Sequence, residues 1–563
     1  MSDDAHLLEV PHLLEVQGLS VEFHTAQGTV HAVRDVSWHM DAGEVLAILG
    51  ESGSGKSVSA AAIMNLIDTP PGYVTAGRAL YRCKDLLRLP AEERRRINGR
   101  KIAMIFQDTL AHLNPVYSVG WQIGETLRAH GEASSGAAMA RAVALLKRVG
   151  IPDPPRRAND YPHQFSGGQR QRVMIAMALA LRPDVLIADE PTTALDVTVQ
   201  AQILALLAEL QAETGMGLLL ITHDLGVVAQ IADRVAVMND GRIVETGPVG
   251  QVFYRPEHPY TRRLMAAIPG RQESLRHGER AAVAEPLLRV QELAKHYEIT
   301  TGLMRRKSGE VVRAVDGVSF ELAAGETLGL VDESGSGKST LARTLLRLEE
   351  PTGGSAHYRG NEIFGLSPAE LLRFRRQMQV VFQDPYASLN PRMTVAQIIA
   401  EPWTIHRDVL PKSQWMDRVA ELLVQVGMRP EHARRYPHQF SGGQRQRIAI
   451  ARALALKPEV IICDEAVSAL DVSIQAQVIE LLAELCDMLR LAYIFIAHDL
   501  PVVRHFTDRV MVMFEGKIVE QGPTDEIFAR PTHPYTQRLL AASPVPDPDV
   551  QRRRPAAVGA GSA

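Results

Sequence analysis

The sequence predicts an α/β protein made of two tandem copies of one domain, each with a largely parallel sheet core. Three observations carry this. The segment Gly50-Glu51-Ser52-Gly53-Ser54-Gly55-Lys56-Ser57 recurs almost letter for letter as Asp332-Glu333-Ser334-Gly335-Ser336-Gly337-Lys338-Ser339. Each copy follows a short, continuous apolar run, the pattern of a parallel strand covered on both faces. Each is then followed, in the same order, by an FQD segment, an FSGGQRQR segment, an acidic DE pair closing a strand and an HD pair closing another.

In the first copy the apolar runs are Val45 to Leu49, Ile102 to Phe106, Val185 to Ala188 and Leu218 to Thr222. Helical segments such as Ala138 to Val149 and Val199 to Glu213 separate some of them, which makes the class α/β. Ser441, Glu465, His498 and His533 follow Ser166, Glu190, His223 and His258 at one constant spacing, so length changes are confined to the front half. The extra residues of copy one lie around Tyr73 to Gly99, where a loop tolerates them. The expected organisation is an N-terminal tail over 1–11, domain 1 over 12–268, a linker over 269–286 with some helical content, domain 2 over 287–545, and a disordered tail over 546–563.

At 563 residues the chain exceeds one ordinary hydrophobic core, in keeping with two large units. Hydrophobic residues at 46% and charged residues at 22% exclude a disordered or fibrous chain. A net charge of -4 supplies no global basic field for nucleic acid, and the cluster Glu92-Glu93-Arg94-Arg95-Arg96 reads as a solvated helix face. Cys83, Cys463 and Cys486 fit no metal-ligand spacing and suit a reducing compartment. No uncharged apolar stretch reaches the length of a bilayer span, so a membrane role is expected to run through partners.

The chemistry begins at the glycine-rich loop. Gly50, Ser52, Gly53, Gly55, Lys56 and Ser57 match G-x-x-x-x-G-K-[ST], whose backbone N–H groups and helix N-terminus wrap phosphates; Lys56 neutralises charge and Ser57 ligates magnesium. Asp189 and Glu190 end a strand where a parallel sheet opens its crevice. Asp189 is placed to hold the magnesium shell, and Glu190 to polarise a water for γ-phosphate cleavage. A strand-end acidic pair also caps helices, but the second pair, Asp464 and Glu465, favours catalysis.

Ser166, Gly167, Gly168 and Gln169 open a helical run with a serine at the cap, a second anion site separate from the lysine loop. Ser441, Gly442, Gly443 and Gln444 repeat it. One nucleotide does not need two such cradles from one domain, so a face-to-face arrangement is expected, each serine loop covering the phosphates held by the other copy. His223 and His498 close strands beside the carboxylates and are expected at the γ-phosphate. Gln107 and Gln383 offer neutral side chains for magnesium and water. Phe23 and Tyr297 are candidates to stack on adenine, with core packing the alternative.

Together these motifs resemble the ATP-binding subunits of ATP-binding cassette (ABC) transporters over essentially the whole chain. The resemblance implies two tandem P-loop NTPase domains, each with a helical subdomain. Gly50 to Ser57, and Asp332 through Ser334, Gly335, Gly337, Lys338, Ser339 and Thr340, look like Walker A loops binding ATP. Asp189/Glu190 and Asp464/Glu465 resemble Walker B pairs, Ser166 to Gln169 and Ser441 to Gln444 signature motifs, Gln107 and Gln383 Q-loops, Asp196 and Asp471 D-loops, and His223 and His498 switch histidines. Catalysis is thereby assigned to Glu190, His223, Glu465 and His498, and Mg2+ to Ser57, Gln107, Asp189, Ser339, Gln383 and Asp464. A head-to-tail sandwich in the family manner would pair Lys56 with Ser441 and Lys338 with Ser166.

The segments Phe106 to Pro115, Phe382 to Pro391, His258-Pro259-Tyr260-Thr261 and His533-Pro534-Tyr535-Thr536 resemble the dipeptide, oligopeptide and nickel importer subfamily, and Gly302-Leu303-Met304-Arg305-Arg306 its glutathione-importing type. The resemblance implies an ATPase at the cytoplasmic face of the bacterial inner membrane, held there by two permease subunits, supplied by an extracytoplasmic binding protein, with no nucleic-acid partner. Soluble tandem-cassette ATPases acting on ribosomes or DNA are the alternative. Their long charged linker and zinc-binding cysteines have no counterpart here.

Two departures matter. Many relatives carry a C-terminal cysteine cluster, but no cysteine follows Cys486, so no iron–sulfur cluster is expected. Asp332 stands where the first Walker A glycine belongs, and is expected to strain the turn, repel phosphate and weaken the Lys338 site relative to the Lys56 site.

Overall fold

The computed structural model describes residues 12–26, 28–193, 195–268, 275, 286–301, 306–333, 335–382, 384, 388–468 and 470–553. It divides into two compact units. Unit 1 comprises Met1–Ala266 with Pro544–Ala563, and unit 2 comprises Ala267–Ser543.

Unit 1 contains two sheets. Strands β1 (Leu14–Thr25), β2 (Gly28–Met40), β4 (Gly72–Tyr81) and β5 (Lys84–Asp85) form an antiparallel sheet in the order β2-β1-β4-β5. Strands β3 (Val45–Leu49), β6 (Ile102–Ile105), β7 (Val185–Asp189), β8 (Gly217–Thr222), β9 (Arg234–Asn239) and β10 (Arg242–Pro248) form the second, in the order β10-β9-β3-β8-β7-β6. All its pairings are parallel except β10 on β9, the antiparallel edge.

Every residue of β3, β7 and β8 is buried, which is why these strands read as continuous apolar runs rather than alternating ones. Leu46, Ile48, Ile187, Leu219 and Ile221 pack into one core with Leu14, Val16 and Trp38 of the antiparallel sheet. Each such side chain removed from water contributes about 1.5–3 kcal/mol. That core holds the strand ends from which the site residues project.

Helices Val119–Ala129, Ser135–Arg148 and Gly167–Ala178 form the helical part of unit 1. Arg172 of the last helix donates to the Val149 carbonyl at 2.6 Å and so ties it to the second.

Unit 2 repeats the plan. Its antiparallel sheet runs β12-β11-β14-β15, from β11 (Leu288–Thr301), β12 (Arg306–Leu322), β14 (Gly353–Tyr358) and β15 (Asn361–Glu362). Its larger sheet runs β16-β17-β18-β13-β19-β20, from β13 (Thr327–Val331), β16 (Met378–Val381), β17 (Val460–Asp464), β18 (Ala492–Ile496), β19 (Arg509–Phe514) and β20 (Lys517–Pro523). Trp403, within helix Val395–Ile405, is fully buried and donates its indole N–H to the Ala455 carbonyl at 3.0 Å.

The course of the C-terminal end differs from the expected disordered tail over 546–563. Pro548–Arg553 is a helix, and it packs in unit 1 on helices Leu225–Ile231 and Val249–Tyr254. The Tyr254 hydroxyl donates to Asp547 Oδ1 at 2.6 Å and accepts from the Asp549 amide at 3.1 Å. Most of the expected linker, and residues 554–563, lie outside the described residues. Among the described residues no helix is long and apolar enough to cross a membrane.

Candidate functional site: two phosphate loops and their carboxylates

The first loop sits between β3 and helix Lys56–Met64. Gly55 caps that helix with φ 100°, a left-handed conformation that glycine adopts freely. A Cβ there would meet the Ala32 carbonyl at 2.3 Å, so the loop's close turn requires glycine. The result is a helix N-terminus whose amides face outward as an anion cradle. Lys56 is 4% exposed, and its ammonium donates to the Gly50 and Glu51 carbonyls at 2.7 and 2.8 Å.

Ser57 Oγ donates to Asp189 Oδ1 at 2.9 Å, joining the loop to the end of β7. Burial pushes the Asp189 carboxyl up to about 6, partly opposed by the Ser57 hydroxyl. A hydroxyl and a buried carboxylate side by side are oxygen donors of the kind a magnesium ion takes, and the ion's charge would restore the ionised carboxylate.

Glu190 follows with φ 45°, an uncommon value for a residue with a side chain. Its amide is pinned to the Ile221 carbonyl of β8 at 2.8 Å. Three side chains hold its carboxylate: Gln107 Nε2 and Thr193 Oγ1 donate to Oε2, each at 2.8 Å, and His223 Nδ1 lies 3.0 Å from Oε1. Burial raises the Glu190 carboxyl, but the hydrogen bond and charge of His223 outweigh it, so it lies below its ordinary value. The His223 imidazole is raised, chiefly by the same bond.

Thr193 carried no expectation from the sequence. Its signal was its place three residues beyond Glu190, within reach of a carboxylate on a tight turn.

Unit 2 repeats the frame with differences. Gly337 caps helix Lys338–Leu345 at φ 110°, the Lys338 ammonium donates to the Asp332 and Glu333 carbonyls at 3.0 Å each, and Ser339 Oγ donates to Asp464 Oδ1 at 2.9 Å. Burial raises Asp464 as it raises Asp189. Glu465 has φ 48°, but His498 Nδ1 stands 3.8 Å from its Oε2, and Ser468 Oγ donates to the Glu465 backbone carbonyl rather than to its carboxylate. Ser334 and Gln383 lie outside the described residues.

Asp332 corrects one expectation. It is not among the residues with positive φ, so it is seated without the backbone strain foreseen for it. Its carboxyl is 3% exposed and accepts from the Tyr535 hydroxyl at 2.7 Å.

The remaining candidates are placed as follows. Ser166 and Ser441 cap helices Gly167–Ala178 and Gly442–Leu454, accepting from the Gln169 and Gln444 amides at 3.3 and 3.4 Å. Asp196 and Asp471 hold the cap positions of helices Val197–Thr214 and Val472–Leu489. Phe23 packs at the margin of the unit 1 core, its ring 2.8 Å from where a Cβ on Gly72 would lie. Tyr297 is 38% exposed, with its hydroxyl on Glu349 and the Lys295 ammonium 5.0 Å from its ring centre.

Two regions, 33–193 and 315–468, match the family described as ABC transporter. The chain belongs to the ABC transporter family. The two units are therefore its nucleotide-binding cassettes. Residues 244–294 and 519–560 also match the oligopeptide/dipeptide transporter C-terminal region. The chain is similar to proteins named glutathione import ATP-binding protein GsiA from Escherichia coli O157:H7, Shigella dysenteriae and Escherichia coli K12. Each is 51% identical over 97% of this chain and 92% of the relative.

Proposed function

We propose that this chain is the ATP-hydrolysing subunit that energises import of peptides of the dipeptide, oligopeptide or glutathione class through a membrane ABC transporter. The observation that carries the reading is the Glu190 carboxylate, held by Gln107, Thr193 and His223 beside a lysine loop joined to Asp189. That arrangement presents a general base next to a phosphate cradle, the parts needed to cleave a γ-phosphate.

In this reading Lys56 and the loop amides hold the ATP phosphates, and Glu190 takes a proton from the water that attacks the γ-phosphate. His223 donates toward the γ-phosphate, and its bond to Glu190 keeps both side chains oriented. Ser57, Asp189 and Gln107 would hold Mg2+, which would supply positive charge to neutralise the phosphates. Ser339, Asp464 and Gln383 are the matching set. The signature segments Ser166 to Gln169 and Ser441 to Gln444 are further candidates to bind ATP phosphate, each at a helix N-terminus. Carrying both cassettes on one chain raises their effective concentration.

Two polytopic permeases, an extracytoplasmic binding protein and a place on the cytoplasmic face of the bacterial inner membrane complete the reading. The extensive similarity to glutathione import ATP-binding proteins supports it. The test is to isolate the tagged chain from its native membranes in mild detergent and reconstitute what copurifies. Two permeases and ATP-driven uptake of a radiolabelled peptide are expected. Ribosomal or DNA-repair proteins in their place would sink the transport reading.

A further inference from the structure

The two phosphate loops differ at their first residue, and the structure shows what the difference does. Gly50 offers no side chain to its surroundings. At the matching position, Asp332 Oδ1 receives the Tyr535 hydroxyl at 2.7 Å and the Glu333 amide, and the Glu333 amide also reaches the Tyr535 oxygen at 3.2 Å. Tyr535 is itself 3% exposed, with its ring 4.2 Å from that of Phe514 at the end of β19. It belongs to helix Pro534–Ala542, far along the chain from the loop.

We propose that Tyr535 is a positioning residue for the second phosphate loop, holding the Asp332 carboxyl so that its charge sets the affinity of that loop for ATP. The inference rests on the reading of the loop as an ATP site. It makes the two sites inequivalent and ties the second to the seating of helix Pro534–Ala542.

The groups facing Asp332 are few. Lys338 comes from helix Lys338–Leu345, Tyr535 from helix Pro534–Ala542 and Glu333 from the loop, while Phe514 of β19 packs against the Tyr535 ring. Burial pushes the Asp332 carboxyl up to about 7, against the pull of Lys338 and the Tyr535 hydroxyl. Near neutral pH both forms are therefore populated. The ionised form offsets part of the Lys338 charge on which the phosphates depend, and the neutral form does not. Phosphate binding should accordingly weaken at the second site as pH rises through this range, and Gly50, at the matching position, has no side chain to do the same.

The test uses the full chain carrying Lys56→Ala, which confines binding to the second site, and a fluorescent non-hydrolysable ATP analogue with Mg2+, titrated between about pH 6 and about pH 8.5. Across that range the parent's affinity is expected to fall about fivefold more than that of Asp332→Asn, which still accepts from the phenol but carries no charge. Tyr535→Phe removes a donor to the ionised carboxylate, so the fall should move to higher pH. Tyr260→Phe, the same change at the corresponding His-Pro-Tyr-Thr segment of unit 1, should leave the profile where it was. Superimposable profiles for the parent and Asp332→Asn would overturn the proposal, whether or not Tyr535→Phe folds. So would equal shifts from Tyr260→Phe and Tyr535→Phe. An analogue that binds no variant, even with Lys56 intact, would overturn the ATP-site reading itself.

Discussion

His223 Nδ1 lies 3.0 Å from Glu190 Oε1, whereas the matching atoms of His498 and Glu465 stand 3.8 Å apart. The first pair sits at hydrogen-bonding distance; the second makes only a longer ion-pair contact. The first carboxylate is thus held by its histidine at the shorter distance of the two.

Removing one of its holders should loosen it without abolishing nucleotide binding. Thr193→Ala is expected to lower kcat for ATP by about tenfold with KM little changed, because the threonine orients the base and touches no phosphate. His223→Gln should cost more, about 100-fold. Steady-state kinetics on the purified chain check both.

Ser57→Ala removes the hydroxyl that joins the loop to Asp189. With three oxygen donors reduced to two, affinity for MgATP should fall by about tenfold, while affinity for ATP in excess chelator should change little. Isothermal titration with and without Mg2+ separates the two.

The returning C-terminal segment is expected to stabilise the first cassette. A Cβ on Gly226 would meet the Pro544 side chain at 2.9 Å and its carbonyl at 3.1 Å. Gly226→Leu should therefore destabilise unit 1 by about 1–3 kcal/mol through overpacking. Tyr254→Phe, which removes the bonds to Asp547 and Asp549, should cost about 1 kcal/mol. Denaturant unfolding followed by hydrogen exchange in unit 1 measures each.

Asp332 should leave a signature in stability as well as in binding. Its folded value of about 7 lies above the ordinary carboxyl value, so between the two the folded state holds the extra proton. Stability is full below the unfolded value, falls as pH rises from about 4 to about 7, and levels off above. The loss is on the order of 4 kcal/mol, and Asp332→Asn should abolish it. Denaturation midpoints of unit 2 across this range supply the check.

What the sequence made legible is what lies contiguous along it. The lysine loops, the DE pairs and the strand-closing histidines each announce their chemistry in a few adjacent residues. The buried strands β3, β7 and β8 announce themselves through unbroken apolar runs. The Tyr535 contact was illegible because its partner is distant in the chain and because a tyrosine in a subfamily segment has no reason, by itself, to face a phosphate loop. The return of the C-terminal end to unit 1 was illegible because Pro548–Arg553 is short, proline-started and charged, the composition of a loose tail. Its order comes from helices Leu225–Ile231 and Val249–Tyr254 beneath it.

The most direct measurement is Mg2+-dependent ATP hydrolysis by the purified full chain beside its Glu190→Gln, Glu465→Gln and double variants. Hydrolysis by the parent is expected, with a loss of about 100-fold or more in Glu190→Gln, a smaller loss in Glu465→Gln, and none remaining in the double variant. Undiminished hydrolysis in the double variant would contradict the assignment of these carboxylates, and equal losses in the two single variants would contradict the inequivalence of the sites.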